Sequence, residues 1–282
     1  MSWVEVRDIA ATAEDCGFDS IWVGDHLLYR DDNGTRGPWE AWSTLAALAE
    51  STSRVQIGPL VAATSFHSPA MLAKKAATVD EISGGRLILG LGAGWNPVEY
   101  AGYGFPYDHR VGRFEEAFTI IRTLVRAGAI DFTGRYYTLR DCELIPPARE
   151  DLPLLVGSNG PRMLRITLPH IDLWNTWHVW FQNRPDGLAP LIAEVEAVCA
   201  DVGRDPASVS RTAAVYVQLP GGGGRNTGSP DRPKAEPISG TVEEMAAALA
   251  AFGAAGIDHL QLVLDPITSQ SVETMGEALR LL

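Results

Sequence analysis

Residues suited to acid–base chemistry follow the first apolar run of this sequence. Asp25 and His26 follow Ser20–Val23 after a single glycine, Gly24, and Ser20–Val23 has the length and composition of a buried strand. Imidazole is the side chain whose ordinary pKa lies nearest neutrality, so His26 can hydrogen-bond a carbonyl group or move a proton near neutral pH. The alternative is a loop histidine that only pairs with its neighbour. No metal site is predicted, because the other histidines considered have no partner at metal-ligand spacing: His67, His109, His170 and His259.

A glycine-rich stretch, GRLILGLGAGWNPVE at 85–99, is the second candidate. An apolar run at 87–91 leads into Gly90, Gly92 and Gly94, which leave the backbone bare where a flat or phosphorylated ligand could lie. A dinucleotide-binding fingerprint is not expected, because it needs Gly-x-Gly-x-x-Gly at the start of a helix. Here the spacing differs, and the residues that follow predict an irregular loop: Pro97, Gly102, Gly104 and Pro106. Close packing alone is the other reason for glycines at these positions.

Small residues also separate a later predicted strand from a helix that begins at Pro161. Free amides before a helix, together with the positive end of its dipole, favour an anion. The residues concerned are Gly157, Ser158, Asn159 and Gly160. An ordinary strand-to-helix turn would need the same residue types.

The next predicted strand ends in Trp174, Asn175 and Thr176. The nearby aromatic residues Trp177, His178 and Trp180 indicate either a pocket for an organic substrate or a hydrophobic seal.

These candidates lie on an alternation of strands and helices. Strands that are each followed by a helix are predicted at seven places, near Ile21, Val55, Leu87, Leu154, Ile171, Ala213 and Leu260. The alternation predicts a parallel sheet, either doubly wound or closed as an eight-stranded barrel. The count is one strand short of a barrel, and a capping box at Ser2 and Glu5 opens the chain on a helix. We therefore expect the first barrel strand to be missing from this chain.

Two segments interrupt the alternation without starting a new domain. Alternating aromatic residues around Thr133 and Gly134 predict a hairpin excursion near 131–147. A polar tract at 220–237 contains four consecutive glycines and predicts a flexible loop, either a lid beside a site or an ordinary surface loop. A single domain over 1–282 is therefore expected.

Composition narrows the possible partners and location. The 282 residues include 35 acidic and 23 basic side chains, a net charge of -12, so neither nucleic acid nor an anionic membrane surface is an expected partner. Three cysteines, Cys16, Cys142 and Cys199, are far apart and make no metal spacing, which favours a reducing compartment. Since no apolar run approaches the roughly 18 residues of a membrane span, a cytoplasmic location is expected.

Long segments of the sequence resemble one known family. They are AEDCGFDSIWVGDHLL, SPAMLAKKAATVDEISGGRLILGLGAGWNPVEYAGYGFPYDHRVGRFEEAFTIIRTL, FTGRYYTLRD, LPLLVGSNGPRML, DLWNTW and GIDHLQLVL. These segments are similar to the bacterial luciferase-like superfamily, and within it to the oxidoreductases that depend on the deazaflavin coenzyme F420. The resemblance implies an α/β fold, namely a (β/α)8 TIM barrel that lacks its first strand here, and a homodimer.

The resemblance also implies roles for particular residues. It places Asp25 and His26 beside the deazaflavin ring, and it places Leu60 and Val61 where the family has a non-proline cis peptide against that ring. Residues implied to bind the cofactor elsewhere lie at later strand ends: Ala93, Gly94 and Trp95; Gly157, Ser158, Asn159 and Gly160 for the phosphate; and Trp174, Asn175 and Thr176 near the tail.

The sequence departs from the sugar-phosphate dehydrogenase branch of the family at two positions. That branch has a threonine and a catalytic glutamate where this chain has Ala93 and Trp95. Sugar-phosphate oxidation is therefore not expected. Trp95 can stack on a substrate or on the ring, or pack in the core, and Glu99 is expected to be structural rather than catalytic.

The function implied by the resemblance is that of an F420-dependent oxidoreductase. It would transfer a hydride between the deazaflavin and a small organic substrate, while His26 stabilises charge on the ring or relays a proton. The cofactor supplies the hydride chemistry, and the protein supplies binding, orientation and electrostatics. Two alternatives stay open, an FMN-dependent monooxygenase and a flavin-binding barrel without catalysis.

Overall fold

The chain folds as two compact units. The computed structural model describes residues 1–31, 34–224 and 234–282. The first unit comprises residues 1–21 and 158–282, and the second comprises residues 22–157. Strands occur at all seven predicted places, and each is followed by a helix, so the predicted α/β fold is confirmed. No helix within the described ranges is long and apolar enough to cross a membrane.

The elements are numbered here in chain order. Those up to residue 127 are α1 (Trp3–Asp15), β1 (Ser20–Val23), β2 (Tyr29–Asp31), β3 (Gly34–Arg36), α2 (Ala41–Ser51), β4 (Gln56–Pro59), β5 (Ala62–Ala63), α3 (Pro69–Ile82), β6 (Leu89–Gly92), α4 (Pro97–Tyr103) and α5 (Arg110–Ala127). The later ones are β7 (Ala129–Thr133), β8 (Thr138–Glu143), β9 (Leu154–Gly157), α6 (Pro161–Thr167), β10 (Leu173–Trp177), α7 (Ala189–Asp201), β11 (Ser210–Gln218), α8 (Val242–Ala254), β12 (His259–Asp265) and α9 (Ser269–Leu279).

Parallel strands form the centre of the second unit. β6 pairs in parallel with β5 on one side and with β9 on the other. All four residues of β6 are buried, as expected for a strand of a parallel sheet that is covered on both faces. Gly90 has no room for a side chain, because a Cβ there would collide with the carbonyl oxygen of Pro59. Close packing is therefore one reason for the glycines of this strand.

The prediction of an irregular loop after β6 is wrong, because α4 forms there. Asn96 caps the helix by accepting a hydrogen bond from the amide of Val98 at 3.3 Å. Pro97 occupies the first helical position, where its missing N–H breaks no intrahelical bond. Gly104 ends the helix in the left-handed conformation, with φ of 76°. Pro97 thus begins a short helix, Gly102 lies within it, and Gly104 and Pro106 follow it.

A hairpin is present at 129–143, overlapping the excursion predicted near 131–147. β7 and β8 pair antiparallel, from Ala129 opposite Glu143 to Thr133 opposite Thr138. Glu116 on α5 anchors the connecting turn by accepting hydrogen bonds at 2.7, 2.9 and 3.1 Å from three consecutive amides, those of Arg135, Tyr136 and Tyr137. The turn of the hairpin is therefore hydrogen-bonded to α5, the helix that precedes it.

The first unit is organised around three parallel strands. β11 pairs with β10 on one side and with β12 on the other. The capping box predicted at Ser2 is present at the start of α1. The flexible loop predicted at 220–237 falls partly outside the described residues, which stop at 224 and resume at 234. At its described edge, the amide of Gly224 donates to the carboxylate of Asp265 at 2.8 Å.

Candidate functional site

Two histidine–carboxylate pairs meet at the end of β1, within the second unit. Asp25 and His26 are neighbours in sequence, but their side chains have different partners. His26 Nδ1 lies 3.1 and 3.0 Å from the two carboxylate oxygens of Glu99, whereas Asp25 Oδ2 lies 2.9 Å from His67 Nε2. The alternative in which His26 only pairs with its neighbour is therefore wrong.

Glu99 is buried on α4, with 1% of its surface exposed. Its Oε1 accepts hydrogen bonds from the amides of Leu27 at 2.6 Å and Leu28 at 3.3 Å, the two residues that follow His26. Burial raises the pKa of Glu99, but the hydrogen bond and charge of His26 and the two amides lower it by more, so this pKa lies below its ordinary value. The carboxylate is therefore ionised at neutral pH.

Asp25 organises the backbone that follows β4. Its Oδ2 accepts a hydrogen bond from the amide of Ala63 at 2.9 Å and also contacts His67. The side chains of both members of this pair are buried, at 2% exposure for Asp25 and 9% for His67. Trp42 meets the ring of His67 edge-on at a centroid distance of 6.4 Å. These contacts turn the Asp25 carboxylate toward the protein's own backbone, and its catalytic role stays a prediction.

His26 retains an exposed edge beside two aromatic rings. Its side chain is 22% exposed. Its ring centroid lies 4.9 Å from that of Tyr29 and 5.7 Å from that of Trp95, with the Trp95 ring nearly perpendicular. Trp95 is 40% exposed, so it is not a core residue. We call Tyr29 and Trp95 the aromatic rim. The hydroxyl of Tyr107 donates to the Trp95 carbonyl at 3.1 Å, which holds the backbone of Trp95 in place.

Four more of the residues implied to bind the cofactor lie in the second unit, namely Leu60, Val61, Ala93 and Gly94. The peptide bond between Leu60 and Val61 is cis, as the resemblance implies. The carbonyl of Ala93 accepts a hydrogen bond from the hydroxyl of Tyr100 at 3.0 Å. Gly94 has φ of 72°, a left-handed conformation that favours glycine. Contact of these residues with a cofactor stays a prediction.

In the first unit, the structure brings Ser158, Asn159 and Gly160 of the implied phosphate turn together with β10. Trp174 Nε1 donates to the carbonyl of Ser158 at 2.8 Å, and Asn159 Nδ2 donates to Thr176 Oγ1 at 3.0 Å. The Gly160 amide donates to Ser158 Oγ at 3.3 Å. Asn159 Oδ1 is buried and has no hydrogen-bond partner among the described residues. Asn159 Oδ1 could therefore bind a partner that is not among the described residues.

Asn175 is engaged inside the sheet of the first unit. Its Nδ2 donates to Thr212 Oγ1 at 2.8 Å and to Gln261 Oε1 at 2.9 Å, and all three residues are buried. The side chain therefore links β10, β11 and β12 with both of its amide hydrogens. Its predicted contact with a cofactor tail is not supported by this arrangement and stays a prediction.

Sequence reasoning missed two members of the histidine–carboxylate pairs. Glu99 was expected to be structural, and His67 was given no partner. A signal for Glu99 existed, since Asn96 and Pro97 together form a helix start that places Glu99 in the first turn. Among the residues that the structure describes, no three His, Cys, Asp or Glu side chains are grouped so that they could hold a metal ion.

The fold and the site define an α/β protein with a histidine–carboxylate pair and an aromatic rim at a strand end. Comparison with known protein families identifies the family of this chain. The family model for luciferase-like monooxygenase matches residues 1–219, and the chain belongs to this family.

Similar proteins include F420-dependent enzymes. An F420-dependent glucose-6-phosphate dehydrogenase of Amycolatopsis mediterranei is 36% identical over 162 residues, which cover 56% of this chain and 48% of that protein. A 5,10-methylenetetrahydromethanopterin reductase of Archaeoglobus fulgidus is 34% identical over 167 residues, covering 59% and 47%. The match thus spans about half the length of these curated relatives. The solved structure of an F420-dependent secondary alcohol dehydrogenase with an F420-acetone adduct has a similar fold, at a TM-score of 0.81, 22% identity and coverage of 99% and 94%.

Proposed function

We propose that this protein is an F420-dependent oxidoreductase that transfers a hydride between the deazaflavin and a small organic substrate. The observation that carries the proposal is the partly exposed His26, which a buried carboxylate holds at Nδ1 beside the Trp95 ring. The dehydrogenase and the reductase among the similar proteins support this reaction class. Because the matched segment covers about half of each relative, the particular substrate does not transfer from them.

His26 is the residue proposed to handle the proton. When bound, F420 would donate or accept the hydride. Oxidation of an alcohol releases a proton from the hydroxyl together with the hydride from carbon, and reduction of a carbonyl consumes both. His26 Nε2 is the ring nitrogen that Glu99 does not contact, so it is the atom proposed to exchange this proton. Trp95 would offer a ring face to the substrate, which suits a small organic compound.

The residues of each unit, taken separately, suit one part of a cofactor with a flat ring and an anionic tail. In the second unit, Leu60 and Val61 supply aliphatic surface for a ring. In the first unit, the buried Asn159 amide has one atom without a partner among the described residues. If the amide is reversed, the Thr176 hydroxyl donates to Oδ1 and Nδ2 is free to donate to a phosphate oxygen. We therefore assign the phosphate to Gly157, Ser158, Asn159 and Gly160, and the neighbouring tail to Trp174 and Thr176, whereas both amide hydrogens of Asn175 are engaged inside the sheet.

We further propose a single luciferase-like domain over 1–282, a (β/α)8 TIM barrel. Seven strand positions followed by helices support the barrel, as does the similarity of fold to a solved F420-dependent enzyme over 99% of this chain. A cytoplasmic homodimer is proposed on the resemblance of the sequence to the superfamily.

A ligand titration tests the proposed function. Fluorescence of the purified chain is followed during separate titrations with F420 and with FMN, and F420 turnover is then screened with secondary alcohols and ketones. We expect saturable F420 binding and no FMN binding. His26→Gln should keep F420 affinity within about twofold and lower turnover by roughly 10²- to 10⁴-fold, because it removes only the proton-exchanging group. FMN binding without F420 binding would instead indicate the FMN-dependent monooxygenase, and F420 binding without turnover would indicate the non-catalytic barrel.

A further inference from the structure

The carboxylate of Glu99 determines which nitrogen of His26 carries a hydrogen. Both carboxylate oxygens lie within 3.1 Å of Nδ1. An ionised carboxylate can only accept hydrogen bonds, so Nδ1 must be the donor in this contact. Nε2 is then the nitrogen that can gain or lose a proton while the contact with Glu99 persists.

This carboxylate is held in place independently of the histidine. The amides of Leu27 and Leu28 donate to Glu99 Oε1. Asn96, the residue that caps α4, donates from Nδ2 to the carbonyl of Leu28 at 3.2 Å. The loop after β1 and the start of α4 are therefore joined by three hydrogen bonds besides the one to His26. Because the backbone fixes the carboxylate, it can orient the imidazole without reorganising when a substrate binds.

The neighbouring carboxylate does not compete for the His26 ring. Asp25 is adjacent to His26 in sequence, but its Oδ2 is occupied by the Ala63 amide and by His67. Glu99 is thus the carboxylate that contacts the imidazole. Its contacts with both the loop amides and the ring suggest two separable effects, one on the loop and one on the tautomer of the histidine.

We propose that Glu99 is a positioning residue that fixes His26 as its Nδ1–H tautomer and thereby makes Nε2 the proton-exchanging atom. This inference rests on the proposed function, in which His26 exchanges a proton with the substrate. A purely structural Glu99 would anchor the amides of Leu27 and Leu28 but would have no effect on the His26 tautomer.

Glu99→Gln separates the two effects. Glutamine keeps an oxygen for the amides of Leu27 and Leu28, but its NH₂ group replaces the oxygen 3.0 Å from His26 Nδ1. There it can donate to Nδ1 and would oppose an Nδ1–H hydrogen, which favours the Nε2–H tautomer. Nitrogen-15 NMR of histidine in the 282-residue chain reads the tautomer without any cofactor, and His26→Gln identifies the signals of this ring. We expect the Nδ1–H form in the unchanged chain and the Nε2–H form in Glu99→Gln. With F420 and a substrate, kcat should fall at least about 10-fold while F420 affinity stays within about twofold.

Glu116→Gln is the matched control, because Glu116 also anchors a loop through three backbone amides. It should leave the tautomer of His26 unchanged. Glu99→Asp keeps a carboxylate, so it should retain the Nδ1–H form and serves as the test if Glu99→Gln does not fold. An unchanged His26 tautomer in folded Glu99→Gln, or an Nε2–H form in the unchanged chain, would overturn the proposal. Absence of F420 binding would refute the proposed function, whereas the NMR result tests the effect of Glu99 on His26 in either case.

Discussion

Gly92 leaves room for Val61 against β6, and alanine at this position tests that packing. A Cβ at Gly92 would lie 2.6 Å from Val61 Cγ2, where carbon atoms ordinarily rest about 3.5–4.0 Å apart. The other nearby atoms, Val61 Cβ and the Gly157 carbonyl oxygen, are at the ordinary distances of 3.8 and 3.9 Å. Valine has little freedom at χ1, so relief requires a movement of roughly 1 Å. We expect Gly92→Ala to lower the free energy of unfolding by about 1–3 kcal/mol.

A double-mutant cycle in urea checks the origin of this loss. Val61→Ala removes both γ carbons, so Gly92→Ala in that background should cost less than about 0.5 kcal/mol, which leaves a coupling energy of roughly 1–2 kcal/mol. Gly253→Ala on α8 is the control, because a Cβ there has no neighbour within 4 Å, and it should stabilise the protein by roughly 0.5 kcal/mol. An equal loss from Gly92→Ala in both backgrounds would refute a clash with Val61.

Two further predictions concern stability in the two units. Arg86→Met should lower the free energy of unfolding by about 3 kcal/mol. The reason is that the guanidinium donates to the carbonyls of Ala49 and Thr52, at 2.7 and 2.9 Å, near the end of α2. A loss of less than about 1 kcal/mol, measured by urea unfolding, would contradict this prediction. Burial lowers the pKa of His259, and the charge of Asp19 opposes this shift only in part. The unfolded chain therefore binds a proton at His259 more readily than the folded chain, so the free energy of unfolding falls as pH drops below the ordinary pKa of 6.5. His259→Gln should reduce the difference in unfolding free energy between about pH 7.5 and about pH 5.5, and an unchanged difference would exclude His259 as its source.

The regular elements were predictable because their signals are local. Short apolar runs predicted the strands, and the capping box at Ser2 predicted the start of α1. α4 was missed for a physical reason, since Pro97 and Gly104 were taken as helix breakers although they occupy the two positions where a helix accepts them, its first residue and its left-handed end. The distinction depends on the exact position of each residue relative to the helix ends.

The site was predictable only in part, because its pairs are not local. The position of Asp25 and His26 after a strand was visible in the sequence. Their partners were not, since His26 and Glu99 are 73 residues apart and Asp25 and His67 are 42 apart. Which carboxylate binds which imidazole depends on how β1, the segment after β4 and α4 are packed, and a single sequence contains no direct record of that packing.

The two histidine–carboxylate pairs differ in the exposure of the imidazole. Asp25 is directed to the buried His67 and to the Ala63 amide, while His26, the next residue, is directed to Glu99 beside the aromatic rim. In both pairs the carboxylate is the more buried member, at 2% and 1% exposure, but His67 is 9% exposed and His26 is 22% exposed. A buried carboxylate behind a partly exposed imidazole orients a ring nitrogen toward a solute, whereas a pair that is buried on both sides stabilises the strand end. Exposure therefore supports the proposed proton exchange at His26, while Asp25 contacts the Ala63 amide and His67, and its catalytic role stays a prediction.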